Sequence, residues 1–96
     1  MAYPEATLGR NALPDIVMYT TSWCGFCRRL KMQLDREGIG YDEVDIERVP
    51  DAAEIVMQVN GGNRTVPTVV YPDGTAATNP SFAEVRDTLA RVDAAS

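Results

Sequence analysis

Residues 16–27 read IVMYTTSWCGFC and contain both cysteines of the chain, Cys24 and Cys27. The first five residues are a short apolar run, partly β-branched, which predicts a buried strand. Thr21 and Ser22 then offer side-chain oxygens that can cap a helix. The segment therefore predicts a strand that leads through a tight turn into a helix opening with a Cys-x-x-C motif.

The spacing of the two cysteines indicates a redox pair. Residues three positions apart on a helix share one face, at a separation that suits a disulfide. Cys24 falls in the predicted first turn, where unpaired N–H groups and the positive end of the helix dipole favour a thiolate. Cys27 lies one turn deeper and is expected to be less exposed. We therefore expect Cys24 to be the nucleophile and Cys27 the resolving thiol.

Two other interpretations of the pair stay open at this point. Free cysteine packs as a small apolar residue, so both cysteines could belong to the core. A homodimer could instead bring four thiolates together around zinc or an iron–sulfur cluster, since a single Cys-x-x-C supplies only two ligands. The metal content of the purified protein distinguishes this binding module from an enzyme.

Composition limits the remaining classes of function. The 96 residues suffice for one domain, and no run reaches the roughly 20 apolar residues of a membrane span. A net charge of −5 argues against nucleic acid, which is bound mainly through cations, and the absence of histidine excludes Ser–His and Cys–His catalysis. Residues 1–14 lack a secretory signal, so we expect a cytoplasmic protein. We also expect residues 1–14 to form a flexible N-terminal arm and residues 15–96 to form a single domain.

The rest of the chain alternates strands and helices. The first helix runs to Glu37 before Gly38, and its buried stripe comprises Cys27, Leu30 and Leu34. Further strands are predicted at 41–46, 68–71 and 75–77, the first of them at a sheet edge. The second helix opens at Pro50, with an inner face of Ala52, Ile55, Val56 and Val59. The third begins with Asn79 as a capping residue and Pro80 in the first turn, and Ser81 with Glu84 forms a capping box.

This β-α-β-α-β-β-α order predicts an α/β fold: a four-stranded mixed sheet with helices on both faces. A right-handed crossover makes the first two strands parallel, and a hairpin loop at 72–74 makes the last two antiparallel.

The element order and several short motifs resemble the glutaredoxin family, which has the thioredoxin fold. The motifs are TSWCGFC (21–27), TVPT (65–68), and DGT (73–75) followed by TNP (78–80). Within the family, VNGGNRTVPT (59–68) is similar to the mycoredoxins, the mycothiol-dependent enzymes of actinobacteria. The resemblance covers residues 16–92.

The resemblance implies a ligand site around the cysteines. It implies a cis Val66–Pro67 bond beside Cys24, with the Val66 backbone pairing to a bound thiol. The residues expected to bind the ligand are Trp23, Phe26, Arg64, Thr65, Val66, Pro67, Thr78 and Asn79. Alternatives remain for some of these: Thr78 and Asn79 could only cap a helix, Arg64 could be a loop charge, and Trp23 could shield the sheet edge.

The chain departs from glutathione-using relatives at two places. They usually carry a cation just before the first cysteine and an acid at the start of the last helix, where this chain has TTSW (20–23) and TNPS (78–81). A neutral polar groove suits mycothiol, an uncharged sugar-based thiol, better than it suits glutathione. The resemblance thus implies a monothiol-type reductase of mycothiol–protein mixed disulfides.

Its expected co-substrate is mycothiol, with no tightly bound cofactor or metal. Its expected partners are mycothiolated or disulfide-containing proteins, with no nucleic acid or membrane, and we expect a monomer. A glutathione-dependent glutaredoxin and a thioredoxin-like dithiol electron carrier are the alternatives.

Overall fold

The computed structural model describes residues 15–95, so the predicted arm at 1–14 lies outside the described residues. The elements are β1 (Ile16–Thr20), α1 (Gly25–Glu37), β2 (Tyr41–Asp45), α2 (Pro50–Val59), β3 (Thr68–Val70), β4 (Ala76–Thr78) and α3 (Phe82–Ala95). This is the predicted α/β order, and the strand ends differ from the predicted ones by one residue.

The four strands form one mixed sheet in the order β2-β1-β3-β4. β2 lies parallel to β1, with Ile16 opposite Tyr41, as a crossover through α1 requires. β3 pairs antiparallel on the other side of β1, with Met18 opposite Val69, and β4 pairs antiparallel with β3. The predicted edge position of β2 is confirmed, and β1, which leads into the Cys-x-x-C motif, lies inside the sheet.

Helices cover both faces of the sheet. Because side chains alternate along a strand, Ile16 and Met18 face one way and Tyr19 the other. On the first face they pack with apolar residues of α1, β3 and α3: Leu30, Leu34, Val69, Val85 and Leu89. On the second face Tyr19 packs with Ile46 and with α2 residues Ala52, Ala53 and Val56. The buried stripe of α1 is Cys27, Leu30 and Leu34, as predicted.

The predicted inner face of α2 is partly wrong. Ile55 and Val59 are 40% and 38% exposed, and Ala53 is buried in their place beside Ala52. Successive residues are rotated by about 100° around a helix axis. When the contact with the sheet is centred on residues 52, 53 and 56, Ile55 therefore lies more than a quarter turn from the centre of that contact. The apolar pattern alone overstates the width of the contact.

The start of α3 also differs from the prediction. Ser81 Oγ accepts from the Glu84 N–H at 3.1 Å and Glu84 Oε1 accepts from the Ser81 N–H at 2.8 Å, so the capping box is confirmed. Asn79 therefore does not cap the helix, and Pro80 precedes its first turn. Asn79 adopts a φ of 48° and donates its N–H to the Pro67 carbonyl at 2.7 Å. This bond ties the segment before α3 to the loop that faces Cys24.

Candidate active site

The sulfur of Cys24 caps α1. Cys24 directly precedes the first helical residue, and its Sγ accepts a hydrogen bond from the Cys27 N–H at 3.0 Å. Thr21, one of the two predicted caps, instead has a buried hydroxyl with no hydrogen-bond partner within residues 15–95. A sulfur that accepts from a free N–H at the positive end of a helix lies where negative charge is favoured.

Cys27 lies behind Cys24 and is held in its thiol form. It is 1% exposed, against 5% for Cys24, which confirms the predicted order of exposure. Burial raises the pKa of the Cys27 thiol from its ordinary value of 9.0 to about 12, and a side-chain hydrogen bond with Cys24 adds to the effect. Both cysteines are free thiols. At neutral pH Cys27 is therefore a proton donor and a poor nucleophile.

A loop with a cis Val66–Pro67 peptide bond faces Cys24. The Val66 carbonyl oxygen lies 3.9 Å from the Cys24 sulfur. Pro67 is fully buried, and its own carbonyl accepts the Asn79 N–H. The backbone at Val66 is therefore fixed next to the sulfur.

Asn60 is a positioning residue that is absent from the predicted set of ligand residues. It follows α2, and its Nδ2 donates to the Thr65 carbonyl at 3.2 Å and to Thr68 Oγ1 at 3.1 Å. Its Oδ1 accepts from the hydroxyl of Thr78. One amide thus links α2, the Val66 loop and β4. Thr78 takes part in this hydrogen-bonded link and does not cap a helix. No local pattern signals such a role, since all three partners are distant in sequence or in a loop.

Two shallow grooves flank the motif. The first, here the Trp23 groove, is lined by Thr21, Trp23, Ile46, Glu47, Pro50, Ala53 and Arg64. The second, here the Phe26 groove, is lined mainly by Phe26, Arg29, Gln33, Asn79, Ser81 and Glu84. Four of the predicted ligand residues thus fall into two pairs, Trp23 with Arg64 and Phe26 with Asn79. Thr65, Pro67 and Thr78 instead take part in the hydrogen bonds that join the Val66 loop and β4 to neighbouring segments.

The aromatic side chains of the two grooves are open to solvent. Trp23 is 68% exposed and donates its indole N–H to Glu47 Oε2 at 3.2 Å, and Phe26 is 64% exposed. Each groove contains one cation and one anion among neutral residues. The lining is therefore balanced in charge, whereas residues 20–23 and 78–81 predict a neutral groove.

Within residues 15–95 no group of three or more His, Cys, Asp or Glu side chains could hold a metal ion. No helix in that range combines the length and apolar character that crossing a membrane requires.

The sequence and the fold of this chain were each compared with known proteins, and the two comparisons agree. Residues 16–75 match the glutaredoxin family model. Over 77 residues, 80% of this chain and 92% of the other, the sequence is 57% identical to a Mycobacterium tuberculosis protein named "Putative glutaredoxin". It is 46% identical to Mycoredoxin 1 of Corynebacterium glutamicum, over 85% of this chain and 98% of that protein. A glutaredoxin structure from Methanosarcina mazei superposes with a TM-score of 0.69 at 27% identity, covering 79% of this chain and 78% of that one.

Proposed function

Because the chain belongs to the glutaredoxin family, we propose that it is a cytoplasmic reductase of mycothiol–protein mixed disulfides and acts through Cys24. The observation that carries this proposal is the arrangement of the two thiols. The sulfur of Cys24 lies at the positive end of α1, 3.9 Å from the Val66 carbonyl, with Cys27 protonated behind it. The 46% identity to Mycoredoxin 1 supports mycothiol as the co-substrate.

The proposed reaction takes two exchange steps. In the first, the Cys24 thiolate attacks the mycothiol sulfur of a protein–mycothiol disulfide. A Cys24–mycothiol disulfide forms and the protein cysteine leaves as a thiolate. In the second, the thiolate of another mycothiol attacks the mycothiol sulfur on Cys24. Mycothiol disulfide forms and the Cys24 thiolate is regenerated, so each cycle oxidises one free mycothiol, and the second mycothiol of the product comes from the substrate disulfide.

The state of Cys27 favours this monothiol route over a dithiol cycle. A dithiol cycle requires Cys27 to attack the mixed disulfide on Cys24 as a thiolate. Burial, and not the neighbouring Cys24, is the largest cause of the raised Cys27 pKa. At neutral pH the thiolate of Cys27 is therefore scarce, which favours attack by a second mycothiol from solution.

The two grooves supply room for the two halves of the substrate disulfide. Mycothiol brings hydroxyl groups and no charge, and the Phe26 groove offers Gln33, Asn79 and Ser81 beside an aromatic face. Pairing of the Val66 backbone with the bound thiol, as in an added strand, would align its sulfur with Cys24.

Parallel reduction assays test the proposal. The wild-type chain is given a mycothiolated protein with mycothiol, a glutathionylated protein with glutathione, or a protein disulfide with a thioredoxin reductase. We expect turnover chiefly with mycothiol. Cys24→Ser should abolish it and Cys27→Ser should retain most of it. Loss of activity in the Cys27 variant, or preference for glutathione or the reductase, would contradict the proposal.

The proposed state is a monomer without metal. Light scattering and metal analysis of the purified chain test this part, because four thiolates around zinc or an iron–sulfur cluster would require a dimer.

A further inference from the structure

The solvent-facing side of α1 carries three arginines around a methionine. This basic face comprises Arg28, Arg29, Met32 and Arg36. It lies opposite the buried stripe of the same helix, all four side chains are exposed, and Met32 is 61% exposed. Within residues 15–95 none of the three guanidinium groups forms an ion pair with a carboxylate.

The stability of the helix accounts for Arg36, which lies in the last turn, but not for Arg28 and Arg29 near the start. The whole chain has a net charge of −5, so a cluster of three unpaired cations is a local exception. Acidic residues stabilise the start of a helix, yet the first turn of α1 has none, and the arginines follow directly. The three like charges lie within about 12 Å along the helix axis and repel one another.

The basic face begins near the start of α1, the residue before which is Cys24. A Cβ placed on Gly25, the residue after Cys24, would lie 3.9 Å from Arg28 Nη2, so that guanidinium extends back toward the start of the helix. Gly25, Gln33 and the four residues of the basic face also line one shallow depression. A protein resting on this depression would therefore contact the region that adjoins Cys24.

We propose that the basic face docks the client protein during exchange and selects clients with carboxylates next to the reactive cysteine. The inference rests on the proposed function, since it concerns the thiol that leaves in the first step. Arginine pairs with carboxylates through two parallel hydrogen bonds, and an exposed methionine adapts to irregular apolar surfaces. Mycothiol has no charge, so Arg28 and Arg36, which lie outside both grooves, discriminate among proteins, whereas Arg29 also lines the Phe26 groove.

Two charged peptides test the docking. Both contain the same central cysteine in a mixed disulfide with 2-mercaptoethanol, flanked in one by acidic and in the other by basic residues. An excess of the reduced, full-length chain is added without other reductant, and the peptide thiol released is measured over time. At about 20 mM salt we expect the acidic peptide to react roughly tenfold faster, and at about 0.5 M salt the two rates should converge.

Two double variants locate the effect. R28Q/R36Q should lower the acidic-to-basic rate ratio at low salt by about threefold or more. R86Q/R91Q removes the same charge from α3 and should leave the ratio unchanged. An equal slowing of both peptides in R28Q/R36Q would mean that the arginines act on Cys24 itself and would overturn the docking proposal.

Equal rates with the two peptides in the wild-type chain, or the same loss of ratio in R86Q/R91Q, would also overturn it. Failure of the wild-type chain to react with either peptide would instead overturn the proposed function on which the docking depends.

Discussion

Replacing Cys24 with serine isolates Cys27 and tests how strongly the fold suppresses that thiol. The pKa of Cys27 is raised from 9.0 to about 12, and burial, the largest cause, remains in the variant. Each step of one in pKa changes the thiolate population about tenfold at a pH below both values, so the full effect is about a thousandfold. Since the variant loses the contribution of Cys24, we expect Cys27 to react at least about a hundredfold more slowly than an ordinary thiol.

The assay is alkylation with iodoacetamide at pH 8, followed by intact mass spectrometry. The reference is the same Cys24→Ser variant unfolded in urea, in which the Cys27 side chain is exposed to solvent. The matched control is Cys27→Ser, whose single thiol, Cys24, should be labelled in the folded state. If Cys27 in the folded variant reacted within about threefold of its rate in urea, the assignment of Cys27 as a buried, protonated partner would be refuted.

Other predictions concern stability and positioning. The pKa of both Cys27 and Tyr41 is raised to about 12, from 9.0 and 10.0, so the unfolded chain loses these protons first as pH rises. The contribution of these groups to stability is complete below pH 9 and falls toward pH 12; an unchanged urea midpoint between pH 8 and pH 11 would contradict this. Leu34→Ala removes a side chain that is 0% exposed and should lower the free energy of unfolding by about 3–5 kcal/mol, whereas a loss below about 1 kcal/mol in urea titration would show that the site is not tightly packed. Asn60→Ala deletes the amide that links the Val66 loop to α2 and β4 and should cost roughly 1–3 kcal/mol while lowering kcat/KM more than Asn63→Ala; equal kinetics for these two variants would remove the positioning role.

Local patterns predicted the elements because each signal is contained within a few residues. The run at 16–20, the Ser81–Glu84 capping box and the Gly38 helix end need no distant partner, and all three occur as predicted. The buried stripe of α1 also follows from its helical period. The inner face of α2 did not, because the sheet that it covers sets the width and centre of the contact.

The site was less predictable than the fold because its parts come from distant segments. Residue spacing gave Cys24 and Cys27, but it could not show that the Cys24 sulfur itself caps α1. The residue type of Asn79 predicted a helix cap, whereas its N–H donates a hydrogen bond to the carbonyl of Pro67, 12 residues earlier. The link through Asn60 depends on pairing across β4 and the Val66 loop, which no local signal encodes.

Peptide mapping of the chain during the reaction asks most directly which sulfur takes up the mycothiol. Reduced wild-type chain and the Cys27→Ser variant are mixed with a mycothiolated protein, quenched in acid and digested. Mycothiol should be found on the Cys24 peptide in both proteins and should disappear when free mycothiol is added. Mycothiol on Cys27, or an intermediate that joins the chain to the client protein, would contradict the assignment of Cys24 as the acceptor.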